Sequence, residues 1–407
     1  MPGATPRRTL RSGHSIWEGS WGTHVPVTLV RHDLGCDVAV VGAGISGALV
    51  SLALAKCGMQ VRLLDRRAPM CGSTTASTAL LQFEIDVPLL VLAERIGLAR
   101  ARRAWRRSLA AVEALERLVR REHLRCGYAR RHSLYLAGDA YGHRALRREA
   151  AARGAADLPG EYLDHGSVAE RFALDRTGAI LSRGAAVANP VQLTAALLRR
   201  AVARGARVHA PADVVEVQSG RGKVTLTLAS GRAVHARHVV FCTGYELLPA
   251  IPLRGHRIVS TWAVAGVPAA ALPAWLGETV VWEASDPYLY LRTTADGSLI
   301  AGGEDAAAPS AHTSATLLRS KARTIALKVA ALVPGLQLTL THRWAGAFGA
   351  SSTGLPLIDG VPGMPNGHVV AGFGGNGITY SVIAADIIRA RITGARDPDA
   401  DLYRITR

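Results

Sequence analysis

Three glycines and one acid, at fixed spacing, are the first residues in this chain whose types could do chemistry. In Asp37-Val-Ala-Val-Val-Gly-Ala-Gly-Ile-Ser-Gly47 an apolar strand runs into Gly42-x-Gly44-x-x-Gly47. An apolar helix follows to about Cys57, and a second strand, Gln60-Val-Arg-Leu-Leu64, ends at Asp65. Parts in this order can hold a dinucleotide. Gly42 permits the tight turn, Gly44 lets backbone approach a pyrophosphate, and Gly47 lets helix and strand pack closely. The helix N-terminus, with Ile45 and Ser46, offers N–H groups and about half a positive charge to phosphates. Asp65 lies 23 residues after Gly42, where a carboxylate can accept from ribose hydroxyls. An acid there favours FAD or NAD over a coenzyme with a 2′-phosphate. Arg66 and Arg67 soften that exclusion, unless they are merely solvated.

These residues need a scaffold, and the composition allows one. At 407 residues the chain can hold two compact lobes. It is 49% apolar and 19% charged, so it is globular rather than disordered. No apolar run reaches the roughly 18 residues of a membrane span, and Arg7 and Arg8 are not followed by an apolar export segment. Five scattered cysteines without a CxxC fit reduced thiols and a cytoplasmic setting. The net charge of +17 rests almost wholly on arginine, with four lysines, and the arginine and alanine bias points to a GC-rich bacterial genome. The densest basic run, Arg100 to Arg107 with Arg117, Arg120 and Arg121, lies on a helix whose apolar side is Trp105, Leu109, Val112, Leu115 and Val119. A solvated helix face explains it; a surface for nucleic acid or an acidic partner is the sharper alternative.

Nucleotide-like segments recur at the start, middle and end of the chain. Helical patterns cover 88–123, 144–153, 167–172 and 313–333, and strands dominate 256–303. Asn189-Pro190 opens a helix through Arg204, Val234 to Phe241 is a strand ending at Cys242-Thr-Gly-Tyr245, and Val369-Val-Ala runs into glycines before a final helix, Ile378 to Ile392. The expected class is α/β: a discontinuous Rossmann-like cofactor domain (36–90, 189–250 and 341–407) with a β-sheet-rich substrate domain (91–188 and 251–340). Residues 1–35 read as an irregular arm that packs on the body.

Four blocks carry a resemblance. They are Val40 to Gly47 with Asp65, Gly72-Ser-Thr-Thr-Ala-Ser77, Val239-Val-Phe-Cys-Thr-Gly244, and Gly372-Phe-Gly-Gly-Asn-Gly-Ile378. Over about 36–395 the chain resembles the D-amino acid oxidase superfamily of FAD-dependent oxidoreductases, which includes glycine oxidase and sarcosine oxidase. Ser73 to Gln82 and Gly354-Leu-Pro-Leu-Ile358 look closest to the branch containing gamma-glutamylputrescine oxidase. The resemblance implies an FAD-binding domain. Its cofactor residues would be Gly42, Gly44, Ile45, Ser46, Gly47, Asp65 and Arg66, then Ser73, Thr74, Ala76, Ser77, Val214, Thr243 and Gly244, then Gly374, Gly375, Asn376, Gly377, Ile378 and Thr379. Backbone N–H groups of Gly375 to Ile378 would stabilise negative charge growing at flavin N1 and O2.

Departures from the family pattern bear on substrate. Amino-acid oxidases of this superfamily grip the carboxylate with cations, and the three positions that resemble those anchors hold Phe348, Gly375 and Thr379 here. A small α-amino acid held in the usual way is therefore not expected unless Arg257, Arg292 or Arg343 takes over. The cysteine that sarcosine oxidases use to link flavin is also missing at Phe348, so FAD should be bound without a covalent bond. Period-two alternation puts Tyr288, Tyr290 and Arg292 on one strand face, either an aromatic, singly cationic pocket wall or an ordinary sheet face. Trp262 and Phe348 are further substrate-binding candidates, with core packing as the plain alternative. The expected reaction is oxidation of a C–N bond of an amine or amino-acid-derived substrate, by hydride transfer to flavin N5, giving an imine. Oxygen or another acceptor would reoxidise the flavin. No base is required if the amine arrives neutral; His256, His342 and Arg292 are catalytic candidates only. No metal motif, GxSxG or Walker loop is present. The rivals are a 2-hydroxy-acid or alcohol-oxidising flavoenzyme, a tRNA-modifying flavoprotein, and a flavin-binding protein without turnover.

Overall fold

The computed structural model describes residues 5–220, 222–249, 251 and 256–405. Among them two sheets form. The first has eight strands, and its main path runs Leu357–Gly360, Gly367–Ala371, Ala233–Phe241, Leu34–Val41, Val61–Leu64, Arg207–His209. From Gly367–Ala371 to Arg207–His209 every pairing is parallel. A parallel sheet must be covered on both faces, which is why runs such as Val38–Val41 and Val239–Phe241 are apolar at every position. Alternation then sorts the side chains. Val38 and Val40 pack with the helices Ile45–Ala55, Pro190–Val202 and Gly377–Ile392. Ala39 and Val41 pack with the hairpin Val214–Gly220 and Lys223–Leu228.

The second sheet has ten strands. Its path is Arg11–His14, Leu338–Ser351, His256–Pro268, Leu299–Ala306, Leu289–Thr293, Thr279–Glu283, Ala129–Leu136, Gly178–Val187, Leu80–Leu81, with Glu161–Asp164 beside Gly178–Val187. It is antiparallel except between Thr279–Glu283 and Ala129–Leu136. The helix Ala315–Leu332, opened by Ser314, which accepts from the Leu317 N–H, lays Leu318, Ile325 and Val329 against Val264 and Leu291.

Three expectations are revised. Residues 1–35 are not wholly irregular: Arg11–His14 forms an edge strand, with Arg11 opposite Gly346 and His14 opposite Arg343. The Trp17 indole donates to the Ser77 carbonyl at 2.7 Å, while Trp21 stays 69% exposed. The helix expected over 88–123 is two, Leu89–Ile96 and Leu98–Arg121, broken at Gly97 where φ is +86°. The boundary expected at 340 falls inside Leu338–Ser351, a single strand of the ten-stranded sheet.

The basic run is not a free surface. Arg103 pairs with Asp399 at 3.0 Å and Asp401 at 2.7 Å, Arg107 pairs with Asp397 at 3.0 Å, and Arg106 with Asp157 at 2.8 Å. Much of this helix face therefore clamps the C-terminal turn Ala400–Tyr403.

The tightest backbone contact lies at Gly47, where a Cβ would sit inside contact distance of the Gly42 carbonyl oxygen. Neither group can move without parting helix from strand. Gly47→Ala should lower the free energy of unfolding by roughly 1–3 kcal/mol or more. A denaturant melt showing no change in midpoint would contradict this account of the packing.

Candidate cofactor and substrate cleft

The eight-stranded sheet delivers the first wall of a cleft of about 650 Å³. Gly42 turns off its strand at φ +108°, and its missing Cβ lets the Cys242 carbonyl pass directly beside it. Helix Ile45–Ala55 then starts without a side-chain cap, and Gly44, Ile45 and Ser46 line the cleft. The Thr74 hydroxyl accepts from the Ile45 N–H at 3.1 Å and so ties the Ser73–Ala76 turn to the helix. An uncapped helix N-terminus facing a cavity favours phosphate.

Asp65 is half-buried, and its loss of bulk water pushes its carboxyl above the usual range against the pull of two backbone donors. Its Oδ2 accepts from Ala43 N–H at 2.7 Å and its Oδ1 from Arg67 N–H at 2.8 Å. The neighbouring cations are already engaged. Arg66 pairs with Asp213 at 3.1 Å, and Arg67 with Glu246 at 2.7 Å. Neither is left to receive a 2′-phosphate, so this end suits an unphosphorylated ribose.

The opposite end has different chemistry. The turn Gly374–Asn376 leads into helix Gly377–Ile392, again with no side-chain cap. Here Asp86 Oδ2 accepts from the Gly375 N–H at 2.8 Å, so that donor is already used. Asp86 is open to the cleft yet deep in the fold, and loss of bulk water pushes its carboxyl up to about 6. The same cleft is lined by Asp305, next to the end of the strand Leu299–Ala306, and the Tyr288 hydroxyl donates to its Oδ2 at 3.1 Å. Its Oδ1 is buried and accepts no hydrogen bond among the described residues. Burial raises the Asp305 carboxyl as well. Tyrosines complete the wall. A Cβ on Gly302 would collide with the Tyr290 ring, and one on Gly349 would come within 2.9 Å of the Tyr245 ring. These two glycines make room for the aromatic side chains.

Most residues singled out from sequence converge here. Every cofactor candidate except Gly47 and Thr379 lines the cleft, as do Tyr288, Tyr290 and Phe348. Gly47 lies behind the turn, and Thr379 donates to the Gln82 carbonyl at 2.9 Å. Arg292 shares its strand face with the tyrosines but lies beyond the cleft. Its guanidinium donates to the carbonyls of Thr78 at 2.7 Å and Ala188 at 2.9 Å, and sits 5.2 Å from the Trp17 ring. Burial, then the nearby Arg131 charge, lowers its pKa to about 9. It fastens the Thr78 loop to the second sheet. Trp262 is 1% exposed and packs in the sheet core under the Lys321 ammonium, 5.3 Å from the ring. His256 lies against Gly372 behind the glycine turn, and His342 contacts Thr341 on the outer strand. Neither histidine lines the cleft, and Arg257 and Arg343 are exposed elsewhere.

Sequence reading missed Asp86, Asp305 and Tyr245. The signal for Asp86 was an acid inside the otherwise apolar run Ile85-Asp-Val-Pro-Leu89; for Asp305 it was the Gly302-Gly-Glu-Asp sequence at a strand end.

This fold and cleft define a dinucleotide-binding oxidoreductase class. The family model DAO, FAD dependent oxidoreductase, matches residues 37–391, and the chain belongs to that family. The probable oxidoreductase OrdL of Rhizobium meliloti is 25% identical over 389 residues, spanning 91% of this chain and 86% of that protein. Gamma-glutamylputrescine oxidoreductase of Escherichia coli is 23% identical over 406 residues, 93% of this chain and 89% of that protein. The crystal structure of glycine oxidase from Geobacillus kaustophilus superposes with a TM-score of 0.75 at 22% identity, covering 92% of this chain and 99% of that one. That last likeness shows the fold alone. No helix among the described residues is long and apolar enough to cross a membrane.

The protein is thus an FAD-dependent oxidoreductase, and the residues fit the coenzyme. The uncapped helix, Asp65, and the buried Ser73 hydroxyl, which has no hydrogen-bond partner among the described residues, would hold it. Cys242 is the cysteine on the cleft wall among the described residues, and burial strongly raises its thiol, which opposes the thiolate a covalent link would need.

Two outcomes test this geometry. Asp65→Ala should weaken FAD binding about 10- to 100-fold, read as the flavin-to-protein ratio after gel filtration. An undiminished ratio would remove Asp65 from the site. The second concerns Asp86. Its folded pKa of about 6 lies above the ordinary 3.8, so its contribution to stability is present at low pH and is lost as pH rises through about 6. Asp86→Asn should therefore melt higher than the parent apoprotein above about pH 6, and the gain should vanish below 3.8.

Proposed function

We propose that this protein oxidises a C–N bond of an amine to an imine. One observation carries the reading. Beyond the glycine loops the cleft is walled by Tyr245, Tyr288, Tyr290 and Phe348, with Asp86 and Asp305 as acids that no lining cation pairs among the described residues. Among the described lining residues the cations are Arg66 and Arg67, both at the Asp65 end and both paired. A desolvated carboxylate needs a charge-assisted partner, and this end supplies none. An α-amino acid or a 2-hydroxy acid would therefore meet two like charges there. An amine would meet acceptors.

Bound FAD supplies the two-electron acceptor for the hydride of the C–H bond. The chain's own residues do the rest. Asp86, ionised above about 6, takes the ammonium proton and so delivers the neutral nitrogen whose lone pair closes the C=N bond. The aromatic walls orient the carbon chain and keep water away from the reacting bond. The substrate-binding residues in this reading are Tyr288, Tyr290 and Phe348, joined by Tyr245, Asp86 and Asp305. Oxygen or another acceptor completes the cycle. The arginine ion pairs of helix Leu98–Arg121 favour no nucleic-acid role.

The test is anaerobic reduction of the bound flavin by matched panels of amines, α-amino acids and 2-hydroxy acids. Amines should bleach the flavin and 2-hydroxy acids should leave it oxidised. Bleaching by hydroxy acids alone would transfer the protein to the rival reaction class.

A further inference from the structure

The charge pattern of the cleft goes further than the reaction type. Two carboxylates share one cavity and feel one another: Asp305 acts to raise the Asp86 carboxyl. Both also raise the Tyr245 hydroxyl, pushed up to about 12 with burial as the main cause. Glu283, a third acid on the wall, is neutralised by Arg176 at 2.6 Å. Asp86 and Asp305 have no such cation among the described lining residues. Asp86 holds a backbone N–H of the glycine turn, whereas the second oxygen of Asp305 is buried and accepts no hydrogen bond among the described residues, although the nearby Thr261 side chain and Lys321 charge favour its ionised form. Buried acceptors without donors are rare in folded proteins, because burial strips their water and returns nothing. Asp86 and Asp305 both line the cavity, so a cationic group of a ligand would find its counter-charge there.

A substrate with one nitrogen can answer only one of these carboxylates. If its nitrogen sits at Asp86, where the proton must leave, Asp305 stays charged and unpaired. The tyrosines that line the same cavity suit a cation, since ring faces attract positive charge and phenol oxygens accept from N–H. Tyr288 and Tyr290 stand 5.9 Å apart, centroid to centroid, beside Asp305.

We infer that the substrate is an amine carrying a second, permanently protonated nitrogen, with the reacting nitrogen at Asp86 and the distal cation at Asp305 among Tyr288 and Tyr290. The inference rests on the amine-oxidising reading above and narrows its substrate class to dications. The reaction is balanced as before: the hydride and its electron pair leave the carbon beside the nitrogen at Asp86, that nitrogen's proton goes to the Asp86 carboxylate, and the distal nitrogen keeps all its protons.

The experiment uses the FAD-loaded protein and a series of α,ω-diamines of increasing length. Each is compared with the monoamine and the ω-amino acid of the same carbon skeleton. The best diamine should exceed its monoamine in kcat/KM on the order of 100-fold, and its ω-amino acid by at least as much. Asp305→Asn should collapse the diamine-to-monoamine ratio toward about one. An unchanged flavin spectrum and melting temperature would show that the variant is folded and loaded. A second readout is perturbation of the oxidised flavin spectrum by the diamine, whose apparent Kd should rise by a similar factor in the variant. Monoamines that reduce the flavin as well as every diamine would overturn the inference and leave amine oxidation standing. A retained diamine preference in Asp305→Asn would overturn the placement of the distal cation. Flavin reduction by hydroxy acids with no reduction by any amine would overturn the parent reading instead.

Discussion

At one point in this molecule, backbone must lie against backbone with no side chain between. The Gly42 turn touches the carbonyl of Cys242 on one side, and the helix residue Gly47 on the other. Three pieces of chain meet there: the strand Leu34–Val41, the helix Ile45–Ala55 and the end of Ala233–Phe241. That approach aims the helix N-terminus into the cleft and sets Asp65 opposite it. A methyl group at either glycine would part these pieces, and the phosphate-facing end would lose its shape. The parallel sheet is the consequence of the same demand. Only strands covered on both faces hold the turn rigidly enough to preserve it.

The electrostatics of the cleft divide along its length. At the Asp65 end every cation has an acid: Arg66 has Asp213 and Arg67 has Glu246. That end is neutralised before any ligand arrives, and its recognition is by shape and backbone dipoles. At the other end Glu283 is paired with Arg176, while Asp86 and Asp305 form no ion pair among the described residues. Their charge is available only to what binds. The tyrosines there are held by the second sheet, through Gly302 and Gly349, so the two sheets contribute complementary chemistry to one cavity.

How much of this could be read in advance depended on the range over which each signal acts. The glycine blocks were legible because turn, helix start and acid lie within one βαβ unit. Tyr288 and Tyr290 were legible because a strand repeats every two residues. The same rule misplaced Arg292: periodicity gives the face of a strand but not where along it a cavity ends. Asp86 and Asp305 were not legible, since nothing local says that a loop acid and a strand acid far apart in sequence will line one cavity. The basic helix misled for a related reason. Its partners, Asp397, Asp399 and Asp401, lie near the far end of the chain. The pairing of Arg11–His14 with Leu338–Ser351 was hidden in the same way.

That edge strand also orders events in time. Arg11–His14 precedes most of the fold in sequence, and the strand it pairs with, Leu338–Ser351, follows most of it. Until the two pair, its hydrogen-bonding groups have only water for company, and contacts of such sequence separation form slowly. Thr5 and Leu10, which border the cavity, can settle only when that pairing is complete. One rim of the coenzyme cavity is thus fastened by a pairing between segments far apart in sequence.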